Sequence, residues 1–244
     1  MSYSDHFSSE ESAVSYDAVQ YAAGSYSSLL WAIEKEQLDQ VWATHSIPPD
    51  AAVLDFACGT GRVLEYLSKK TTDITGIEVS RQMAERARSR VPSAQVLCGD
   101  ITQEDIVPQD SYDVITAFRF FLNAEPLLRR SAMAALRVML RPGGLLILNN
   151  HGNLYSHKAL LAPLHHLSRR GRAERSGNYL RQSELVDVAA RAGLRIDRVA
   201  GCGLLGGRTY RHFRGARIDA LEKRLSVSSF ARFGSNQLYV ARAS

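Results

Sequence analysis

Three carboxylates mark the ends of short apolar runs in the first hundred residues: Asp55 after Ala51-Ala52-Val53-Leu54, Glu78 after Ile74-Thr75-Gly76-Ile77, and Asp100 after Val96-Leu97-Cys98-Gly99. Behind Asp55 comes Phe56-Ala57-Cys58-Gly59-Thr60-Gly61, then the amphipathic run Arg62-Val63-Leu64-Glu65-Tyr66-Leu67. That order reads strand, tight glycine turn, helix. Gly59 and Gly61 have no Cβ, so the backbone can lie against a nucleotide-like ligand. A dinucleotide fold wants a third glycine where this chain has Leu64, and a pyrophosphate on the helix. A carboxylate at Asp55 suits a cationic ligand better. Glu78 follows Gly61 by seventeen positions, close to the spacing at which an acidic residue takes both hydroxyls of a ribose.

Around these residues the pattern is a regular alternation of strands and helices. Ser80 caps a helix through Arg81-Gln82-Met83. A fourth strand runs Tyr112 to Arg119. Leu140-Arg141-Pro142-Gly143-Gly144 stops a helix and turns into a fifth strand, Leu145 to Asn150. Before the first strand, Glu10 to Gly24 and Tyr26 to Thr44 read as helices, closed by Pro48-Pro49. After the fifth strand the pattern weakens. We expect a helix over 182–194, a strand near 195–200, a flexible link at Gly201, Gly203, Gly206 and Gly207, a helix near 218–225, and Gln237 to Ala241 as a closing edge strand.

The turn resembles motif I of the class I S-adenosylmethionine-dependent methyltransferases: an acidic residue, then x-G-x-G-x-G, with Ala57 in place of the first glycine. The likeness spans roughly residues 50–150 and takes in the strand-end residues Glu78, Asp100 and Asp113-Val114-Ile115 in family order. It implies an α/β fold: a Rossmann-like, seven-stranded, mostly parallel sheet with helices on both faces and the last strand antiparallel. It divides the chain into a helical cap or lid at 1–48 and a cofactor-binding domain at 49–244, with a 151–180 insertion near the substrate. The implied cofactor is S-adenosyl-L-methionine, leaving as S-adenosyl-L-homocysteine. By the same resemblance its site comprises Asp55, Ala57, Cys58, Gly59, Gly61, Glu78, Val79, Met83, Asp100, Ile101, Phe118 and Arg119, with Tyr16 and Tyr21 reaching in from the cap. Glu78 would take the ribose hydroxyls and Asp100 the adenine amino group; Met83 is either an adenine contact or core.

The acceptor is less legible. His151 is the candidate general base after the fifth strand, because histidine titrates near neutrality; a structural histidine is the competing reading. Asn150 and Asn153 could orient a polar substrate. Phe120 and Phe121 either line its pocket or belong to the core. The Asn/Asp-Pro-Pro-aromatic tetrapeptide of amino-methylating nucleic-acid enzymes is absent after the fourth strand, which argues against nucleic acid as partner.

Composition sets outer limits. The 244 residues, 45% hydrophobic, suffice for one sizeable α/β domain with appendages. No apolar run approaches a membrane span, and the first residues lack the charged and apolar regions of a secretory leader, so a cytoplasmic protein is the expectation. Three scattered cysteines and unclustered carboxylates suggest neither disulfides nor a metal. Residues 1–150 hold 13 Lys+Arg against 19 Asp+Glu, whereas 151–244 hold 17 against 6. Arginine dominates the second half (Arg169, Arg170, Arg172, Arg175, Arg208, Arg211, Arg214, Arg217), which fits an anionic acceptor, an acidic partner, or simply a solvated basic surface. The expected function is therefore methyl transfer to O or N of a small molecule. RNA or protein methylation is the alternative, and a non-catalytic cofactor-binding regulator the third possibility. Oligomeric state is left open.

Overall fold

The computed structural model describes residues 22–103, 109–156, 179–213 and 215–243. Tyr16, Tyr21, His165, His166 and the arginines from 169 to 175 lie outside them. The element order is α1 (Tyr26–Thr44), β1 (Ala52–Phe56), α2 (Arg62–Leu67), β2 (Asp73–Glu78), α3 (Arg81–Arg90), β3 (Gln95–Cys98), β4 (Tyr112–Ala117), α4 (Pro126–Met139), β5 (Leu140–Asn150), α5 (Gln182–Arg191), β6 (Leu194–Cys202), α6 (Gly206–Phe213), α7 (Ala216–Ser226), a 3-10 turn (Ser229–Phe233) and β7 (Asn236–Ala243).

One seven-stranded sheet runs β3-β2-β1-β4-β5-β7-β6. The first five strands pair in parallel, and β7 is antiparallel to both neighbours. Such a sheet is covered on both faces, which is why β1 reads as an unbroken buried run rather than an alternation. On one face Leu38 and Val41 of α1, Val63 and Leu64 of α2 and Ala84 of α3 pack against Val53, Val114 and Ile147. On the other, Met133 and Leu136 of α4 and Leu185 of α5 pack against Leu54, Ile115 and Tyr239. Burying each such Leu, Ile or Val contributes about 1.5–3 kcal/mol.

Two expectations at the C-terminal end are corrected. β7 is not an edge strand: it lies between β5 and β6, and β6 forms the edge. All but one of its eight residues are buried, as an interior position requires. The glycines from 201 to 207 are not a flexible link either. Gly201 lies within β6, Gly206 and Gly207 start α6, and Gly201 and Gly203 serve close approach. A Cβ at Gly201 would stand 2.1 Å from the Ala231 carbonyl oxygen, and one at Gly203 2.3 Å from the Ser235 hydroxyl.

The parallel order also fixes where a ligand can enter. The chain leaves β1 for β2 and β3 on one side, then returns to β4 on the other. The crevice beyond the carboxyl ends of β1 and β4 is the topological switch point, where open α/β sheets bind ligands.

Candidate active site

At that crevice the backbone from Ala57 to Gly61 is held in conformations that L-residues avoid. Ala57, Gly59 and Gly61 have φ of 53°, 57° and 83°. Ala57 carries a Cβ and so stores strain of about 1–2 kcal/mol, of the kind that collects at binding sites. The two glycines are needed for different reasons. A Cβ at Gly61 would stand 3.0 Å from the Ala87 Cα, so this position lets α2 and α3 pack closely; a Cβ at Gly59 would meet nothing within 4 Å and would project into open space. Leu64, which takes the place of a third glycine, has its partner on the strand: a Cβ at Gly76 would lie 3.1 Å from a Leu64 Cδ. The close helix–sheet contact survives because the missing side chain has moved to β2.

Two buried carboxylates flank the turn. Glu78 accepts hydrogen bonds from Gly59 N–H (2.9 Å) through Oε2 and from Ser80 N–H (2.8 Å) through Oε1, tying the turn to the end of β2. Burial pushes its pKa up, and those amides oppose the rise. Asp55 accepts from the Thr116 hydroxyl at 2.6 Å through Oδ1. Its Oδ2 has no hydrogen-bond partner among the described residues. Burial raises its pKa to about 7, against the opposing Thr116 bond, the Arg62 charge and the Leu64 amide. A buried acceptor with no partner is costly, and this one lines a cavity.

That cavity is bounded by Asp55, Ala57, Cys58, Gly59, Glu78, Val79, Met83, Phe118 and Arg119, together with Thr60, Arg62, Val63 and Asn123, which the sequence reading did not assign. A second cavity shares Ala57, Glu78 and Val79 with it and adds Asp100, Ile101, Phe120 and Leu128. The shared residues make the two cavities ends of one cleft. Asp100 closes its own turn, accepting from Thr102 N–H (2.9 Å), Thr102 Oγ1 (2.7 Å) and Gln103 Nε2 (3.2 Å). Cys58 stays a thiol, since burial raises its pKa, with the neighbouring Asp55 and Glu78 charges adding to the rise. Arg119 adopts a left-handed backbone, φ 60°, and its carbonyl accepts from Asn123 Nδ2 at 2.7 Å. Strain thus sits on both sides of the cleft.

In the sequence, four residues could meet the acceptor, with the core as the alternative reading for the two phenylalanines. Phe121 is 0% exposed and belongs to the core. Phe120 stacks edge-on with Phe56 at 4.7 Å between ring centroids and lines the Asp100 end of the cleft, away from the Asp55 end. Asn150 is buried, donating to the Leu180 carbonyl at 3.2 Å and accepting from Gly152 N–H at 3.1 Å. Asn153 is buried and donates to the carbonyls of Arg232 and Gly234, each at 3.0 Å. Both asparagines use their amides to stitch loops together. His151, half-buried just after β5, lines neither cavity of the cleft. Among the described residues no group of three or more metal-ligating side chains forms.

The described N-terminal helix packs an aromatic against two residues that line the cleft. The Arg62 guanidinium carbon lies over the Trp31 ring of α1, 4.1 Å from its centroid, and Trp31 is edge-on to Phe118 at 6.2 Å. A buried polar contact fixes α1 there: Glu34 accepts from Asn149 Nδ2 at 2.7 Å and Asn236 Nδ2 at 3.0 Å.

Residues 53–144 match the family model described as a methyltransferase domain. Over that stretch, which is less than half of the chain, the protein is similar to methyltransferase domains. Among relatives, dTDP-4-amino-2,3,4,6-tetradeoxy-D-glucose N,N-dimethyltransferase of Saccharopolyspora spinosa is 34% identical over 136 residues, 54% of this chain and 51% of the relative. The dTDP-3-amino-3,4,6-trideoxy-alpha-D-glucopyranose N,N-dimethyltransferase of Streptomyces venezuelae is 31% identical over 102 residues, 41% of this chain and 42% of the relative. The chain thus spans about half the length, or less, of these curated relatives. In fold, the chain is similar to magnesium protoporphyrin IX methyltransferase of Synechocystis PCC 6803 with bound SAH (TM-score 0.66, 14% identity, 98% of this chain and 97% of that one). An S-adenosylmethionine-dependent methyltransferase of Clostridium acetobutylicum ATCC 824 superposes equally well, with TM-score 0.66, 14% identity and coverage of 96% and 98%. No helix among the described residues is long and apolar enough to cross a membrane.

Proposed function

We propose that this protein binds S-adenosyl-L-methionine in the cleft and transfers its methyl group to a nitrogen of a small-molecule acceptor, releasing S-adenosyl-L-homocysteine. The observation that carries the reading is the unpartnered, buried Asp55 Oδ2 beside a glycine turn whose open side would be filled by a Cβ at Gly59. A donor with an ammonium group offers that oxygen its missing hydrogen bond. The bound donor supplies a methyl group on a positively charged sulfur, open to direct displacement.

The chain's own residues would hold and enclose it. Asp55 fixes the cationic amino group. Glu78, already pinning Gly59 and Ser80, has carboxylate lone pairs left for ribose hydroxyls. Ile101, Phe120 and Leu128 offer an apolar slot for the base. Phe118, Met83 and Val63 keep water from the Asp55 end. Positioning of this kind supplies much of the acceleration in a direct displacement.

An amine acceptor fits best. A neutral amine is its own nucleophile, and His151, the favoured candidate base, lines neither cavity of the cleft. Two relatives named as sugar N,N-dimethyltransferases support the same class; oxygen remains the alternative nucleophile. Calorimetry with S-adenosyl-L-homocysteine tests the donor half: binding by the wild type and its loss in Asp55→Asn is the expected result, and unchanged binding in the variant overturns the site. Donor-loaded protein incubated with a pool of amines, amino sugars included, and a matched pool of alcohols tests the acceptor half. Methyl-sized mass gains confined to the alcohols would reverse the choice of nitrogen.

A further inference from the structure

The corner built by α6, α7 and the 3-10 turn lines neither cavity of the cleft. Its place in the sheet is nevertheless informative. β5 runs parallel to β4 and β1, and β7 is antiparallel to both β5 and β6, so β6 points the same way as β1. The chain that leaves β6 for α6 and α7 therefore stands at the carboxyl edge of the sheet, the edge on which the cleft opens.

This corner joins apolar exposure to positive charge. Among the described residues nine large apolar side chains stand exposed, and five of them lie here: Phe213, Leu221, Val227, Phe230 and Phe233. Residues 206–233 also hold seven Lys+Arg against two Asp+Glu. One of those two, Glu222, is buried and already accepts backbone N–H groups on both oxygens. In α7 the buried Glu222 and Ser226 mark the inward side. By helical periodicity Arg217 and Arg224 fall opposite them, flanked by Leu221 and Val227, and all four are exposed. The 3-10 turn packs against α7. There the Arg232 guanidinium lies over the Phe233 ring, 4.7 Å from its centroid, and both side chains stay exposed.

We propose that this corner is a peripheral membrane-binding surface for anionic lipid, on which Phe230, Phe233 and Val227 enter the headgroup boundary while Arg217, Arg224 and Arg232 meet lipid phosphates. Stable attachment to a bilayer surface takes both apolar area and basic charge, and it needs no spanning helix. A bilayer also needs no groove to receive it, and these residues line none of the three cavities described along the sheet. A nucleic acid would answer the arginines but leave Leu221 and Val227 in water. The inference holds whatever the methyl acceptor proves to be.

Sedimentation with vesicles of phosphatidylcholine alone, and of phosphatidylcholine with about one-third phosphatidylserine, tests it. The full chain should partition to the anionic vesicles about tenfold more strongly or better, and less so as salt is added. Arg217→Gln, Arg224→Gln and Arg232→Gln should each lower that partitioning about fivefold, and Phe230→Ala about tenfold. These positions are exposed, so the variants should remain folded. Lys69→Gln, exposed between α2 and β2 at the opposite edge of the sheet, should leave partitioning unchanged. Phe230→Trp adds a reporter whose emission should move to the blue with anionic vesicles, whereas Trp31 and Trp42 of the wild type should not respond. Equal partitioning to both vesicles, or an equal loss in Lys69→Gln and Arg224→Gln, overturns the inference. Failure to bind vesicles overturns it too: retention on heparin would then assign the arginines to a polyanion such as nucleic acid, and a dimer broken by Phe230→Ala would assign the apolar side chains to a second copy.

Discussion

Glu78 and Glu222 are both buried carboxylates that accept backbone N–H groups beside glycines, yet they build opposite things. Glu78 takes two amides and leaves the turn around Gly59 open on one side. Glu222 is 0% exposed. It accepts from Gly203, Leu204 and Leu205 N–H at 2.8, 2.9 and 3.0 Å, and from the Tyr26 hydroxyl at 2.8 Å. Tyr26 in turn accepts from Gly206 N–H at 3.0 Å. Burial, reinforced by the Glu222 charge, keeps that phenol protonated. The first arrangement is a cradle with an unused acceptor beside it at Asp55. The second is a nest of backbone donors already filled by the protein's own anion, and it clamps α1, α6 and α7 to the end of β6. Glycine and carboxylate alone do not make a binding site; what matters is whether the amides and acceptors are already matched.

The comparison is broken most forcefully at the clamp. Glu222→Ala would leave one buried amide, two part-buried amides and a phenol without their acceptor, and the expected cost is about 3 kcal/mol or more. Thermal or urea unfolding would measure it, and a loss under 1 kcal/mol would mean that water replaces the carboxylate and the nest is not closed. Gly201→Ala should be comparably harmful, because its Cβ would meet backbone rather than a movable side chain.

The same contrast explains what could be read in advance. Asp55, Gly59, Gly61 and Glu78 are legible because a strand, a turn and a helix place them within a short stretch of chain, so spacing alone carries the geometry. Asn150 and Asn153 read as possible substrate contacts because polar residues after a strand suggest an open loop. Their partners, Leu180, Arg232 and Gly234, lie about thirty to eighty positions away, and no local pattern announces them. Gly201 and Gly203 read as flexibility because the atoms that would collide with a Cβ belong to Ala231 and Ser235. β7 read as an edge because it comes last in the sequence, although burial on both faces belongs to an interior strand. Trp31 stood in the sequence as one aromatic among several on α1; only the approach of α2 singles it out.

Asp55 sharpens the comparison from the other side, with an effect of intermediate size and opposite sign. Its raised pKa means that the folded protein holds this proton more tightly than the unfolded chain does. Between the ordinary carboxylate value and about 7 the folded state therefore carries more protons, and stability falls as pH rises through that window. Asp55→Asn removes the charge while keeping an acceptor for Thr116. It should stabilise the ligand-free protein at pH 8 by about 1–3 kcal/mol and abolish S-adenosyl-L-homocysteine binding. For the wild type, binding needs the ionised carboxylate, so affinity should drop about tenfold per pH unit below 7 and level off above it. The groups that face Asp55 (Glu78, Arg62, Thr116 and Cys58) set the midpoint, and a pH-independent affinity would remove Asp55 from the donor site.

Gly59→Ala should cost the fold only about 1 kcal/mol, the price of a left-handed residue with a Cβ, since that Cβ meets no protein atom. Its effect should appear in affinity for the donor, the reverse of the pattern at Gly201. Equal damage to folding and binding would show that Gly59 is a packing glycine like the others.

The smallest effect is expected at His151. A general base contributes about 10²–10⁴-fold to a rate that requires proton removal in the transition state. An amine that enters unprotonated requires none, and His151 lines neither cavity of the cleft. With an amine acceptor in hand, His151→Ala should change kcat by no more than a few-fold and leave donor affinity untouched. The pH profile decides between the readings. If turnover rises with the ionisation of the acceptor amine and is the same in variant and wild type, the proton leaves before the ligand is bound and the protein acts by positioning alone. If the alkaline limb shifts only when His151 is removed, the histidine does take a proton, and an oxygen nucleophile becomes the better reading of the acceptor.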